Sequence, residues 1–132
     1  MHALHEKSAV VTGGARGIGA AVARALVDAG IAVLIGDILD EEGKQLAEEL
    51  GDLAAYRHLD VTDEKDWRAA LNEAEETLGP LGVLINNAGV IEFGGVADGW
   101  PASFRHIMDV NVYGPWLACT SQRLCYGTTA AA

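Results

Sequence analysis

The sequence predicts an α/β fold in which helices cover both faces of a parallel sheet. Two patterns carry this expectation. Four short apolar runs alternate with helix-period segments at short, even spacing, and the first run stops at a glycine-rich turn. Parallel neighbours joined through helices require right-handed crossovers, which gathers the runs into one doubly wound sheet.

Ala9-Val10-Val11 is the first buried strand, closed by Thr12-Gly13-Gly14. From Gly17 the period changes, and Ile18, Val22, Leu26 and Ala29 fall on one helix face with Gly30 as the expected C-terminal cap. Ile31 to Ile35 is the second strand, ending at Gly36-Asp37. Asp40 is the expected cap of a second helix, whose first turn holds Glu41 and Glu42, where carboxylates suit the helix dipole. That helix ends near Leu50-Gly51, and Ala54 to Leu59 gives a third strand. Thr62 is the expected cap of a third helix, with Trp67, Leu71, Ala74 and Leu78 on its apolar face and Gly79-Pro80 as its stop. Val83-Leu84-Ile85 is the fourth strand, ending at Asn86-Asn87-Ala88-Gly89. A glycine-rich loop comes next, then helices expected from Pro101 to about Asp109 and from about Val110 to Arg123.

Composition narrows the function classes. Of 132 residues, 50% are apolar and 21% charged, the balance of a globular core in a single domain. The net charge of −10 argues against a partner held through nucleic-acid phosphates, whose footprint is a basic patch. Residues 37–66 hold eleven acids and three bases, which reads first as solvated helix faces. The most apolar stretch, Ala20 to Gly36, is broken by Arg24 and Asp28, so no membrane span is expected. Met1 to Ser8 lacks the pattern of an export signal. Cys119 and Cys125 make neither a disulfide framework nor a metal set, and a reducing cytoplasm is the expected compartment.

The turn Thr12-Gly13-Gly14-Ala15-Arg16-Gly17-Ile18-Gly19 lies between a strand and a helix. There Gly13 permits the tight turn, Gly17 lets backbone approach a ligand, and Gly19 lets the helix pack closely on the strand. The helix N-terminus then offers unpaired N–H groups to a pyrophosphate. No Lys-Ser/Thr pair closes the run, so it is not a P-loop. Asp37 lies at the carboxyl end of the second strand, where a carboxylate accepts hydrogen bonds from the adenosine ribose of a dinucleotide. It would repel a 2′-phosphate by roughly 4 kcal/mol per unit charge at ~4 Å and an effective dielectric of ~20, before screening. Arg16 pulls the other way, because a guanidinium beside the loop can pair with that phosphate. Asp37 outweighs it, since Arg16 can equally point to solvent.

These residues resemble the short-chain dehydrogenase/reductase family. The matching pieces are Thr12-Gly13-x-x-x-Gly17-x-Gly19, Asp37, Leu59-Asp60-Val61, Asn86-Asn87-Ala88-Gly89 and Met108-Asp109-Val110-Asn111-Val112, in the family's order over residues 8–123. The resemblance implies a Rossmann-type sheet in the order 3-2-1-4 and a nicotinamide cofactor, NAD more than NADP. It implies that Gly13, Arg16, Gly17, Ile18 and Gly19 form the cofactor loop and that Asp37 is the NAD-selecting acid. Asp60 and Val61 would contact the adenine, while Asn87, Ala88 and Gly89 would lie along the riboses. The Asn86–Asn87 amides would also join the central strands. Asn111 resembles the family's active-site Asn, which holds a water for proton relay; the bland alternative is a helix-start Asn.

The resemblance then breaks. In the family a Tyr acts as general acid/base toward an alcohol or ketone, with a Lys four residues on and a Ser that orients the substrate oxygen. Here Tyr126 is followed at that spacing by Ala130, Tyr113 by Leu117, and the lysines are Lys7, Lys44 and Lys65. A tyrosine near its ordinary pKa of ~10 is a poor base at neutral pH. The expectation is therefore an incomplete NAD(P)-binding domain over residues 1–123 with an unstructured tail over 124–132. It would be a truncated oxidoreductase or, alternatively, a non-catalytic dinucleotide-binding module that pairs with a full-length relative. The fourth strand would lie at the sheet edge, apolar and without Lys or Pro, which favours a homo-oligomer or a homologous partner.

Overall fold

The computed structural model describes residues 6–125, excepting the side chains of residues 122–125. In chain order the elements are β1 (Ser8–Thr12), α1 (Gly17–Asp28), β2 (Ala32–Asp37), α2 (Asp40–Leu50), β3 (Ala54–His58), α3 (Glu64–Leu78), β4 (Leu81–Ile85), α4 (Pro101–Met108) and α5 (Gly114–Cys125). The four strands form one parallel sheet in the order β3-β2-β1-β4. This is the Rossmann-type arrangement expected from the alternation. Most of the expected tail, residues 126–132, lies outside the described residues, and α5 runs two residues past residue 123.

The central strands read as continuous apolar runs because both faces of the sheet are covered. Successive side chains point to opposite faces. Ala9, Val11, Val33 and Ile35 join Ala20 and Ala23 of α1 and Leu46 of α2 on one side. Val10 and Leu34 join Trp67, Ala70, Leu71 and Ala74 of α3 and Leu117 and Ala118 of α5 on the other. Trp67 is fully buried, and its indole N–H donates to the Val61 carbonyl at 2.9 Å.

Several local expectations are corrected. Val22 and Leu26 of the expected α1 face do pack against the core, but the buried residues of the helix are Gly19, Ala20 and Ala23, while Ile18 is 76% exposed and Ala29 is exposed. Small residues win there because the helix lies close to the strands. Gly30 does end α1 in the left-handed region, φ 79°, with its N–H on Val27 O and that of Ile31 on Leu26 O. Asp40 is the first residue of α2 and not its cap, since its carboxylate is taken by Tyr56 and His58. Asp63, not Thr62, caps α3, accepting from the N–H groups of Lys65 and Asp66. Thr62 is committed to Asp60, to which both its hydroxyl and its N–H donate.

Trp67→Phe keeps most of the buried area but leaves the Val61 carbonyl without its donor. Urea unfolding should show a loss of about 1–3 kcal/mol, while Trp67→Ala should cost about 3–5 kcal/mol.

Candidate dinucleotide site

A cleft of about 590 Å³ opens at the carboxyl ends of β1, β2 and β4, where the strand order reverses. This is where parallel α/β sheets bind ligands. Of the residues singled out from the sequence, Gly13, Arg16, Gly17, Ile18, Asp37, Asp60, Val61, Asn87, Ala88 and Gly89 all line it. Gly19 and Asn111 do not, and each has a different place.

Gly19 packs rather than lines. A Cβ there would fall 2.1 Å from the Gly13 carbonyl oxygen and 2.6 Å from Asn87 Nδ2. At Gly17, in contrast, a Cβ would meet nothing within 4 Å, and φ is 57°. Gly17 therefore serves backbone conformation and leaves space on the cleft side. Arg16 precedes α1 in extended conformation and supplies no side-chain cap. The first-turn N–H groups are thus left for a ligand.

One hydroxyl ties the two principal loops together. Thr12 is buried, and its Oγ1 accepts from the N–H groups of Asn87 and Ala88, both at 3.1 Å. The Asn87 amide returns the link by donating to the carbonyls of Thr12 at 3.0 Å and Gly13 at 3.1 Å. Asn87 carries this strand-joining role without Asn86, whose side chain is exposed.

Asp37 is 8% exposed, and its carboxylate is held on three backbone donors. Oδ2 accepts from Ala15 at 2.9 Å, and Oδ1 accepts from Ile38 at 2.7 Å and Leu39 at 3.1 Å. A carboxylate offers about four lone-pair positions, so acceptor capacity remains on the cleft wall. Asp60 Oδ1 is occupied by Thr62, and the Asp60 N–H donates to Asp66. Val61 is wedged against Gly114, where a Cβ would lie 2.9 Å from Val61 Cγ2.

Asn111 is not at a helix start. It sits inside a single π-helical turn, Asp109–Tyr113, that joins α4 to α5 in one continuous helical run. Wide turns of this kind are frequent at functional sites. The Asn111 side chain accepts from the Val90 N–H and donates to the Val90 carbonyl, both at 2.8 Å. It therefore pins the loop after β4. Ile38, Leu39, Thr62, Val90, His106, Asp109 and Val110 also line the cleft, and the sequence did not single them out for it. Asp109 and Val110 lay within a quoted motif, while nothing in the spacing marked His106.

The sequence profile of the short chain dehydrogenase family matches residues 7–123. The chain is 50% identical over 111 residues to a 3-alpha-(or 20-beta)-hydroxysteroid dehydrogenase of Mycobacterium tuberculosis, covering 84% of this chain and 43% of that protein. It is 40% identical to a trans-4-hydroxycyclohexanecarboxylate dehydrogenase of Sinomonas cyclohexanicum, covering 85% of this chain and 47% of that protein. Among solved structures it is similar to the apo form of LigO from Sphingobium sp. strain SYK-6, with a TM-score of 0.86 and 32% identity. That match covers 92% of this chain and 46% of the other. The chain thus spans somewhat less than half the length of the curated relatives it matches.

Asn111→Ala should leave the sheet intact and free the Val90 backbone. Hydrogen exchange should quicken at Val90 and its neighbours by about five- to tenfold, the worth of one or two hydrogen bonds, with β1 and β2 unchanged.

Proposed function

Because the chain belongs to the short-chain dehydrogenase family, we propose that it binds a nicotinamide dinucleotide, NAD in preference to NADP. The bound group would supply hydride transfer to or from an alcohol or ketone carbon. One observation carries this reading: Asp37 stands on the cleft wall with its carboxylate fixed by Ala15, Ile38 and Leu39. A charge held in place by three N–H donors does not swing away from a 2′-phosphate, and it still accepts from ribose hydroxyls.

The other residues take roles by position. Gly13, Gly17 and Ile18 present backbone to the pyrophosphate at the N-terminus of α1, with Arg16 beside it, and Gly19 sets the depth of that helix. Asp60 and Val61 flank the adenine, and Asn87, Ala88 and Gly89 run along the riboses. Asn111 acts through the Val90 loop, which its side chain holds from the π-turn. Residues 1–123 form the dinucleotide-binding unit. The substrate class, by likeness to the hydroxysteroid and hydroxycyclohexane relatives, is a cyclic secondary alcohol or its ketone. The protein works without nucleic acid and in a reducing compartment, the cytoplasm. No helix among the described residues is long and apolar enough to cross a membrane.

A second reading rests on the residues after Asn111. These 132 residues contain no Tyr-x-x-x-Lys. In this reading these residues hold cofactor and act by pairing with another copy or a full-length relative. The β4 edge of the sheet is the place where such a partner adds a strand.

Fluorescence titration of the 132-residue chain should give NADH an affinity about tenfold or more above NADPH, a difference of ~1.4 kcal/mol. Asp37→Asn, which removes charge and keeps an acceptor, should narrow it. Equal affinities in the parent chain would overturn the NAD assignment and shift weight to Arg16. With secondary alcohols and NAD the same chain should produce no NADH; sustained production lost in Asn111→Ala would refute the non-catalytic reading.

A further inference from the structure

We propose that His58 is a positioning residue whose proton braces the two turns framing the adenosine end of the cleft, so that NADH affinity falls as the imidazole loses it. This rests on the dinucleotide reading above, and it adds a pH dependence that the reading alone does not contain.

The geometry begins with register. His58 ends β3 beside Asp37 of β2, so it sits at the mouth of the sheet next to the ribose-side acid. Its Nδ1 lies 2.8 Å from Asp40 Oδ1, on the first residue of α2. Its Nε2 lies 3.9 Å from Asp66 Oδ2, in the first turn of α3. Each carboxylate reaches one wall of the cleft. Asp66 Oδ2 accepts the Asp60 N–H at 2.9 Å and so fixes the turn carrying Asp60 and Val61. Asp40 Oδ1 lies 2.5 Å from the Tyr56 hydroxyl, which is itself 2.7 Å from the Asp37 carbonyl oxygen. The imidazole thus stands between the β2–α2 turn and the β3–α3 turn. A neutral ring donates from one nitrogen only, whereas the cation directs an N–H at both carboxylates.

The surroundings favour the cation. The hydrogen bond to Asp40 is the main influence raising the His58 pKa above its ordinary value, with Asp66 and Asp60 adding to it and burial opposing. The positive groups near the ring are Lys44 on α2 and Arg57 on β3, which line the same shallow cavity. Arg57 is paired with Glu73 of α3, and Lys44 lies 4.0 Å from Glu41. For a group whose pKa is raised in the fold, the brace is complete below its ordinary value of ~6.5 and fades as pH rises through the raised midpoint. The ring is half exposed, so the effect is that of a screened pair: an affinity change of about two- to fivefold.

The test uses the full 132-residue chain between about pH 5.5 and 8.5, the range over which imidazoles titrate. NMR titration of the ring without cofactor should place the His58 midpoint above the ordinary value, and Asp40→Asn should bring it down. NADH should bind about two- to fivefold more weakly on the alkaline side of that midpoint. His58→Gln should abolish the slope. Asp66→Asn, which leaves the imidazole in place, should remove most of it. His106 also lines the cleft, from α4, so His106→Gln should keep the slope if His58 is its source. Binding that is independent of pH, or a slope that survives His58→Gln, would overturn the proposal and leave dinucleotide binding standing. No binding at any pH would overturn both.

Discussion

The contact between the first turn of α1 and the loop after β1 sets the rest of the site. Gly19 lies so close to the Gly13 carbonyl and the Asn87 amide that even one methyl group would push the helix off. Because the helix sits that deep, its N-terminus opens directly above the strand ends. Because Asn87 is caught in the same junction, the loop after β4 is drawn to β1 and its backbone meets Thr12 Oγ1. The α1 side and the β4-loop side of the cleft are therefore two sides of one hydrogen-bonded joint. Removing any member leaves a buried donor or acceptor without a partner, which costs more than the bond itself contributed.

An acidic chain that is to take up an acidic ligand, as proposed above, must keep its carboxylates occupied or turned away. Here many of them are occupied. Arg24 with Glu49, Arg57 with Glu73 and Arg68 with Glu64 tie acids to bases on the outer surface. Asp63 is spent capping α3, and Asp60 on Thr62. Asp37, Asp60 and Asp109 line the cleft, whereas the N-terminus of α1 presents backbone and Arg16 to it. The charge excess of residues 37–66 is thus largely helix surface, as the sequence suggested, although the His58 cluster shows that part of it is organised.

Much of the fold was legible because burial on both faces leaves a plain mark: Val10, Val11, Val33, Leu34 and Ile35 are apolar without alternation, and only a covered sheet tolerates that. The glycine positions were legible because each answers to a steric demand visible in the spacing. Caps were harder. Asp40, Thr62 and Asp63 are all competent N-caps, and the choice among them was made by side chains far away in sequence, Tyr56 and His58 in one case. The face of α1 misled for a related reason. Periodicity favours the largest apolar residues, and Val22 and Leu26 do pack, but the close approach at Gly19 fills the most buried positions with small residues and leaves Ile18 facing out. The Asn111–Val90 bond had no local signal at all, since it depends on the loop meeting a π-turn 21 residues later.

The strand order also fixes a sequence of events. β1 is synthesised first but lies in the middle of the sheet, and the bonds along its second edge join residues 71 to 76 positions apart, such as Ser8 with Gly79 and Thr12 with Ala88. Loop closure over that distance must precede any reward from the contacts it creates, which slows folding of such topologies. During synthesis at ~5–20 residues per second, the chain spends several seconds with β1 paired to β2 alone and one apolar flank bare. The cleft straddles that late seam. A nascent chain therefore acquires its hydrophobic layer over α1 and α2 before it acquires the cleft, and chaperone demand should be greatest in that interval.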